Sequence, residues 1–331
     1  MFSIIIPVYN TPSEQLKASI NSCINQTYSD IEIIIINDGS NQECLDVLET
    51  YAAKDKRIIL INGDKGGVSR ARNKGLESAT KKYILFLDSD DIFDINTCQF
   101  IKENLPEKNT LLSWDFDVFT GKMYDTKSQY KKEVKTEFSN TELKEKVLDL
   151  KSGFDVIRCK LYETEIIKTH GIKFCPELTQ GEDIIFNMDY FPYVKNCIKI
   201  NKILYHYRKD FTSHSQRFNP NYGEKIRKFC SEIMLRSNQG LYDIDNCYSR
   251  VIQGVFAALA HYFFHPDSYL KLKDLKKYLE QEPFKKSIKD SRYRDFSIQR
   301  RFPLFFLKHR NYFFLKLTSK IRWIYLKHRY K

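Results

Sequence analysis

Five apolar residues in a row, Tyr83 to Leu87, lead directly into the acidic sequence Asp88-Ser89-Asp90-Asp91. The run is short for a helix, and its continuous apolar character is typical of a strand that is buried on both faces of a parallel sheet. The carboxyl ends of such strands form the edge at which open α/β sheets bind ligands. Asp88 and Asp90 could turn their oxygens toward one divalent cation, Mn²⁺ or Mg²⁺, which would relieve the repulsion between the carboxylates. The alternative is an acidic turn in which Asp91 or Asp94 caps the next helix.

The chain around this stretch alternates between strand and helix patterns. Runs of β-branched and aliphatic residues predict strands, and amphipathic spacing predicts helices between them. The expected strands are 2–9, 31–36, 57–61 and 83–87, and the expected helices are 13–26, 42–51 and 68–79. This alternation predicts a doubly wound, mostly parallel α/β sheet. Pro7 is expected to end the first strand. No Gly-x-Gly-x-x-Gly follows that strand, so a bound nucleotide would be recognised by side chains.

Aromatic, acidic and basic groups are expected at the same edge of the sheet. Tyr9 follows the first strand, Asp38 ends the second, and Arg70 and Arg72 open the helix after the third. An aromatic ring can stack on a base, a carboxylate can accept from an imide N–H such as that of uracil, and an arginine can pair with phosphate. Taken singly, each residue also fits a turn or a solvated surface. Together they predict nucleotide binding.

The net charge of +12 is concentrated at the C-terminus. Residues 296–331 hold ten of the 54 Lys and Arg residues and no Asp or Glu, which leaves 44 basic and 42 acidic residues in the rest of the chain. A nearly neutral body argues against a nucleic-acid groove spread over the fold, and we expect no nucleic-acid partner.

Five motifs in the N-terminal part resemble those of a family 2 glycosyltransferase with the GT-A fold. The likeness is dense over residues 2–95 and thins beyond them. The motifs are Ile4-Ile5-Ile6-Pro7-Val8-Tyr9-Asn10, Ser22-Cys23-Ile24-Asn25-Gln26-Thr27-Tyr28, Asn37-Asp38-Gly39-Ser40, Gly67-Val68-Ser69-Arg70-Ala71-Arg72-Asn73-Lys74-Gly75 and Phe86-Leu87-Asp88-Ser89-Asp90-Asp91. The resemblance implies a nucleotide-sugar transferase of the type that builds bacterial surface polysaccharides.

The resemblance also implies roles for single residues. Asp38 is expected to hold the uracil of a UDP-sugar, and Tyr9 to pack on it. Asp88 is expected to contact the ribose or the metal, and Asp90 to ligate the metal that bridges the diphosphate. The other expected nucleotide-binding residues are Pro7, Arg72, Ser89 and Arg208. Asn37 stands where the family more often has a second aspartate, which places a minor contact in question.

Glu182 and Asp183 begin an amphipathic helix. Carboxylates in a first turn are favoured by the helix dipole, so capping alone can explain the pair. Beside a metal–nucleotide site the pair resembles the catalytic Glu-Asp motif of the family. An inverting sugar transfer needs a base that removes the proton of the acceptor hydroxyl. We expect Asp183 to be this base and Glu182 to orient the acceptor or the base.

The segment between these motifs is expected to form the acceptor side of the site. Residues 110–119 predict a strand, and residues 122–145 predict a mobile loop with a helix. Residues 154–162 resemble a family segment in which a strand leads to a helix, here at 164–170.

A further strand is predicted at 198–207, followed by a polar segment at 206–215. In family members the corresponding loop folds over the diphosphate, and Arg208 is expected to clamp it. His206 and His214 are either additional ligands or structural residues.

The C-terminal region is predicted to be helical, at 226–238, 245–264 and 270–280, and to end in the basic tail 296–331. Within the tail one helical face is expected to carry Phe306, Phe313, Leu317, Ile321 and Ile324. Aromatic anchors among Lys and Arg are typical of a helix that lies on an anionic membrane surface. The alternative is a helical pair that packs on the protein or on a second subunit, as in a homo-oligomer.

These patterns predict a catalytic domain at 1–218, with a nucleotide-binding half at 1–95 and an acceptor half at 96–218, and a helical region at 219–331. No signal peptide or membrane-spanning run is apparent, and the eight scattered cysteines predict reduced, mostly buried thiols. We therefore expect a cytoplasmic protein that is peripheral on the inner face of the cytoplasmic membrane.

The expected function is metal-dependent, inverting transfer of a sugar from a UDP-sugar to a glycan or lipid-linked acceptor, by family analogy in lipopolysaccharide or capsule synthesis. A sugar nucleotidyltransferase would also need paired aspartates and a metal, but it should carry a glycine- and lysine-rich loop after the first strand, which Tyr9-Asn10-Thr11-Pro12 is not. A non-catalytic basic membrane-binding module is the other alternative.

Overall fold

The computed structural model describes residues 1–121, 133–150, 152–209 and 218–329, with side chains in the last range described up to 319 and at Ile321. The chain divides into two compact units, Met1–Thr212 and Ser213–Lys331. The predicted α/β class and the C-terminal helices are both confirmed.

The first unit is built on one mixed sheet. In the described residues its strands are β1 (Phe2–Val8), β2 (Ile31–Asp38), β3 (Ile58–Gly63), β4 (Tyr83–Phe86), β5 (Ile92–Phe93), β6 (Thr110–Phe119), β7 (Lys135–Ser139), β8 (Lys160–Glu163) and β9 (Asn196–Arg208). They lie in the order β3-β2-β1-β4-β8-β6-β9-β5, and β7 also pairs with β9. The pairings among β1 to β4 and the long β6–β9 pairing are parallel. The short pairings of β8 and those of β5 and β7 are antiparallel. The sheet is therefore mostly parallel, as predicted.

Helices cover the sheet and connect its strands. In the first unit they are α1 (Ser13–Ile24), α2 (Gln42–Lys54), α3 (Val68–Ser78), α4 (Thr97–Glu103), α5 (Asn140–Lys146), α6 (Thr164–Thr169) and α7 (Glu182–Tyr190). Every residue of β1, β2 and β4 is buried, which explains their largely apolar sequences. The core of the unit is formed by these strands and the inward faces of the helices, such as Leu16 and Ile20 of α1.

The strand that was expected to end at Pro7 continues to Val8. Pro7 pairs with Ile36 of β2. On the other side, the pairing of β1 with β4 ends at Ile5 and Phe86. Because the β4 ladder has already ended, the N–H that proline lacks is not needed there.

The acceptor half differs from the expectation in two places. β7 lies inside 122–145, where a loop and a helix were predicted; the helix is α5, and residues 122–132 lie outside the described residues. The strand expected over 154–162 is limited to β8. The carbonyl oxygens of residues 154 and 156–158 accept from buried side chains, whereas that of Cys159 accepts the Trp114 N–H of β6.

The second unit is helical. Its helices are α8 (Tyr222–Asn238), α9 (Ile244–Ala258), α10 (Leu272–Leu279), α11 (Phe284–Asp290), α12 (Ile298–Lys308) and α13 (Tyr312–Arg329). A π-helical turn, Leu259–Phe263, extends α9. No helix in the described part of the chain has the length and apolar character needed to cross a membrane.

The basic tail forms two helices, α12 and α13. Arg310 has a φ of 53° between α12 and α13, which breaks the helix. Phe306 belongs to α12 and its ring stacks on that of Phe314 at 4.9 Å. The expectation of a single helical face from Phe306 to Ile324 is therefore wrong.

None of the eight cysteines, all of which lie in the described residues, forms a disulfide; seven are buried, and the partly exposed Cys175 thiol donates to Glu177 at 3.2 Å. The predicted burial of most of these thiols is confirmed, and their reduced state stays a prediction.

Candidate active site

The carboxyl ends of β1, β2 and β4 lie side by side. Val8 pairs with Asn37, so Tyr9 and Asp38 leave neighbouring strands at the same level of the sheet. β4 flanks β1 on its other side and ends two residues before Asp88. Parallel register thus brings three of the predicted site segments to one edge.

Asp38 is held by the loop that precedes α3. Its two carboxylate oxygens accept the backbone N–H groups of Gly66 at 2.7 Å and Gly67 at 2.8 Å. Gly67 is the N-cap of α3, so the negative charge lies at the favourable end of the helix dipole. Asp38 is buried, and its oxygens retain lone pairs that could accept a further hydrogen bond.

Tyr9 is 44% exposed beside this loop. The Lys65 ammonium donates to the Tyr9 hydroxyl at 2.7 Å and lies 4.4 Å from the centre of its ring. The exposed ring next to Asp38 is available for stacking by a planar ligand.

Arg72 joins the two ends of the predicted site. This guanidinium of α3 is 4% exposed. It donates to Asp88 at 3.0 Å, to Asp183 at 2.9 Å and to Glu182 at 3.4 Å. Burial lowers the pKa of Arg72, but the three carboxylates outweigh it and raise this pKa above its usual value. Arg72 is thus ion-paired with the candidate catalytic carboxylates, and its contact with the nucleotide stays a prediction.

Glu182 and Asp183 begin α7, after Gly181. Gly181 has a φ of 80°, a left-handed conformation that glycine adopts without strain, and this turn directs the first residues of α7 toward Arg72. Burial raises the pKa of Glu182, and the charge of Asp183 adds to the effect. Burial also raises the pKa of Asp183, although Arg72 opposes it. Carboxylates with raised pKa values are better proton acceptors near neutral pH.

The acidic turn after β4 is anchored by Asp91. Its carboxylate accepts the Tyr205 hydroxyl at 2.5 Å and the Arg208 backbone N–H at 2.7 Å. Burial raises the pKa of Asp91 to about 8, and the charges of Asp88 and Asp90 act in the same direction. Asp91 is therefore a structural residue that fixes the turn against β9.

Asp88 and Asp90, the two partly exposed carboxylates of the turn, fit a divalent ion of the Mg²⁺ or Mn²⁺ type. Asp88 and Asp90 could supply hard oxygen ligands, and the charge of each raises the pKa of Asp91 between them and β9. No group of three His, Cys, Asp or Glu side chains suited to a metal occurs within the described ranges. Such ions commonly take one or two protein carboxylates and complete their shell with phosphate oxygens and water.

The remaining predicted residues lie around this turn. The buried Ser89 hydroxyl is 2.6 Å from that of Thr11, and Pro7 is buried in β1. Arg208 is the last residue of β9 and is buried; its side chain donates to the carbonyl oxygens of Asp90, at 2.9 Å, and Gly121. His206 lies on β9 with Nδ1 2.7 Å from Asp117, and His214 lies outside the described residues.

Sequence patterns did not identify every residue of the site. Arg158 lies with its guanidinium 4.8 Å from the ring centre of Phe116 and 4.6 Å from that of Tyr207. The backbone N–H of Ile157 donates to Asp183 at 3.4 Å. Neither contact has a signal in the sequence, because the segment that carries both is irregular and its pairing is non-local.

The chain matches the family described as Glycosyl transferase family 2 over residues 3–171. The putative glycosyltransferase EpsH of Bacillus subtilis is 31% identical over 223 residues, which cover 65% of this chain and 63% of EpsH. Glycosyltransferase GlyA of Streptococcus pneumoniae is 30% identical, over 62% of this chain and 30% of GlyA. The matched part is thus less than two thirds of either of these relatives.

Solved structures show the same fold. A crystal structure of S. aureus TarS, residues 1–349, in complex with UDP-GlcNAc superposes with a TM-score of 0.64 at 20% identity, over 96% of this chain and 90% of that one. The TarS structure of the same residues described without a ligand gives 0.62 at 19% identity. The chain therefore belongs to glycosyltransferase family 2 and has the GT-A fold.

Proposed function

We propose that this protein is an inverting, metal-dependent glycosyltransferase that moves a sugar from a UDP-sugar to a hydroxyl of a glycan or lipid-linked acceptor. The observation that carries the proposal is the cluster in which Arg72 joins Asp88, at the end of β4, to Glu182 and Asp183 of α7. A carboxylate turn for the donor and a partly buried carboxylate pair for the acceptor are thereby held next to each other.

The donor is proposed to bind with its uracil at Asp38 and Tyr9. Asp38 is fixed by two backbone N–H groups and sits beside the exposed face of Tyr9. TarS, which has a similar fold, was crystallised in complex with UDP-GlcNAc and with UDP, and this supports a uridine nucleotide as the donor class. Arg208, which lies against the backbone of Asp90, is the proposed clamp for the diphosphate.

Asp183 is the proposed base. It takes the proton of the acceptor hydroxyl while the hydroxyl oxygen forms a bond to the anomeric carbon, on the face opposite the diphosphate. The bond between that carbon and the diphosphate oxygen breaks, and UDP leaves with the electron pair. This single displacement inverts the anomeric configuration and needs no covalent enzyme intermediate. Glu182 shares Arg72 with Asp183 and is proposed to orient the acceptor or the base.

Asp90 and Asp88 would hold the divalent ion, Mn²⁺ or Mg²⁺, beside the diphosphate. When bound, the ion would neutralise the charge that develops on the leaving diphosphate.

The acceptor is proposed to be a bacterial surface glycan, of the lipopolysaccharide or capsule type, that is extended at the inner face of the cytoplasmic membrane. The support is the exposed apolar surface of α12 and α13, which lies in a tail with ten Lys and Arg residues and no acidic ones. Such a surface complements anionic lipid headgroups and would hold the enzyme where lipid-linked acceptors are found.

UDP release from a panel of UDP-sugars with Mn²⁺ tests the proposal. We expect Asp183→Asn to lower turnover by about a hundredfold or more, since base catalysis is lost, and to leave UDP affinity, measured by calorimetry, nearly unchanged. Asp46→Asn, on the exposed face of α2, is the matched control and should behave as the wild type. A wild-type protein that releases UDP from no donor, or an Asp183→Asn variant with full turnover, would contradict the proposal.

A further inference from the structure

A lysine in the interior of the first unit takes no part in the proposed chemistry. Lys160 begins β8 and has no exposed surface. Its ammonium donates to the backbone carbonyl oxygens of Gly153 at 2.8 Å, Val156 at 2.6 Å and Arg158 at 3.3 Å. Burial of an ammonium is unfavourable unless polar groups replace its water, and three carbonyl dipoles do so here. The lysine therefore fixes the direction in which these carbonyl groups point.

Two more buried side chains hold the same loop. Asn187 of α7 donates to the carbonyl oxygens of Phe154 and Val156, both at 2.9 Å. The Tyr162 hydroxyl lies 2.7 Å from Oδ1 of Asn187 and 3.3 Å from the carbonyl oxygen of Ile157. We call the three side chains that hold residues 153–158 the carbonyl clamp: Lys160, Tyr162 and Asn187. The clamp ties this irregular loop to the helix that carries Asp183.

The clamp determines which group of one peptide faces Asp183. In a planar trans peptide the C=O and N–H groups point in opposite directions. The carbonyl oxygen of Val156 is held by Lys160 and Asn187, so the N–H of the same peptide, that of Ile157, points away from them. This N–H donates to Oδ2 of Asp183 at 3.4 Å. Burial raises the pKa of Asp183, and the Ile157 N–H is one of the contacts that lower it.

We infer that Lys160 and Asn187 are positioning residues for sugar transfer, because they turn the 156–157 peptide so that its N–H orients and stabilises the carboxylate of Asp183. The inference rests on the proposed function of Asp183 as the base. Lys160, which is completely buried, and the side-chain amide of Asn187 thereby affect catalysis through the carboxylate of Asp183.

Other groups facing Asp183 also affect its charge and stay in place when Lys160 is replaced. They are Arg72 of α3, Asp88 after β4, Arg158 of the loop, Tyr162 of β8 and Glu182 of α7. Lys160 itself has its pKa lowered to about 8 by burial, and the groups that face it are Asp155, Arg158, Cys159 and Cys197. A change in the pH profile of a Lys160 variant therefore reports the loss of this ammonium and of the peptide orientation it imposes.

The test compares Lys160→Met with Lys160→Gln, Asn187→Ala and the control Lys168→Met. The reaction is UDP release from the UDP-sugar that the wild type uses best, followed from acid to neutral pH. Lys168 is an exposed lysine of the same unit that also donates to a backbone carbonyl oxygen, that of Ala79 at 2.7 Å, so its variant should match the wild type.

The base must be ionised to act, so turnover falls as the pH drops through the pKa of Asp183. Loss of the N–H contact raises that pKa, and we expect Lys160→Met to move the acid limb of the kcat profile to higher pH by about one unit. We also expect kcat to fall about tenfold, with the donor KM within about twofold, since the nucleotide contacts are retained. Lys160→Gln keeps an amide donor and should recover part of the loss.

If Lys160→Met does not fold, Asn187→Ala provides the test. Lys160 still holds the Val156 carbonyl oxygen in that variant, so we expect a smaller shift of the acid limb in the same direction. An acid limb that stays at the wild-type pH in every folded variant overturns the inference, even if turnover falls with the folded fraction. A wild type that releases UDP from no donor overturns the proposed function, and the inference with it. An active wild type with an unmoved limb in the variants overturns the inference alone.

Discussion

Arg72 is the residue on which the charge balance of the site depends. When all four side chains are ionised, its single positive charge meets the three negative charges of Asp88, Glu182 and Asp183, and the cluster keeps a net charge of −2. Burial raises the pKa of Glu182, and the charge of Asp183 adds to the effect; burial also raises the pKa of Asp183, although Arg72 opposes it. The cluster is therefore suited both to accept a proton and to attract a cation.

A change of Arg72 to lysine is not conservative at this position. The ammonium of a lysine is a compact charge and lacks the planar fork that lets one guanidinium reach three carboxylates. We expect Arg72→Lys to lower the kcat of UDP release by about tenfold to a hundredfold, because Asp183 loses its orientation. Arg57→Lys, at an ion pair with Asp55 before β3, is the matched control. Equal kcat values for Arg72→Lys and the wild type would contradict this role.

At the scale of elements, α3 connects the proposed nucleotide-binding end of the site to the proposed catalytic end. Its N-terminus is held by Asp38, and Arg72 follows one turn later. The helix packs closely on the sheet at Gly75, where an added Cβ would lie 2.5 Å from Cγ2 of Ile5 and 3.0 Å from Cδ1 of Ile36. The close packing of α3 on the sheet therefore fixes the position of Arg72 relative to Asp38, the last residue of β2.

Gly75→Ala is expected to destabilise the protein despite the higher helix propensity of alanine. Overpacking of a close contact typically lowers the free energy of unfolding by about 1–3 kcal/mol, which outweighs the roughly 1 kcal/mol that alanine gains over glycine in an open helix position. Denaturant unfolding measures the change, and UDP affinity should fall with it. The control is Glu77→Ala on the same helix, which removes an exposed ion pair with Lys173 and should change stability little. A Gly75→Ala variant as stable as the wild type would show that the helix can move away from the sheet freely.

For the whole molecule, charge and exposed apolar surface occur together in the tail. Ile298, Phe302 and Phe305 of α12 are exposed, and so are Phe313 and Ile321 of α13. Among the described side chains of these helices, Leu304, Leu307 and Leu315 are buried. The exposed face thus carries large apolar side chains within a segment of positive charge, as expected for binding to an anionic surface.

The double variant Phe302→Ser and Phe313→Ser should lower binding to vesicles of phosphatidylglycerol and phosphatidylcholine by about tenfold or more, because two aromatic anchors are lost. Vesicles of phosphatidylcholine alone should bind the wild type weakly, and salt should weaken the binding to anionic vesicles. Tyr269→Ser is the matched control, since Tyr269 of the same unit is 70% exposed but lies outside the tail. Unchanged vesicle binding by the double variant would contradict the prediction. If the wild type were also a dimer and the double variant a monomer, the surface would be a subunit interface.

The sequence by itself determined the class of the fold and the edge of the sheet that carries the site. Apolar runs of strand length separated by amphipathic segments predict an α/β fold with a parallel sheet, and parallel strands place Tyr9, Asp38 and Asp88 at one edge. Short motifs in a fixed order then indicated the family. These are local signals, and each can be read within a few residues of the chain.

Only the tertiary structure decided what the side chains contact. Arg72 meets Glu182 and Asp183 across 110 and 111 residues of chain, and the Lys160 ammonium orients a peptide that faces Asp183. The Asp91 carboxylate accepts hydrogen bonds from Tyr205 and Arg208 of β9 and does not cap the next helix. Such contacts depend on how distant segments pack in three dimensions, and buried charges and carbonyl groups take whichever partners that packing brings within reach.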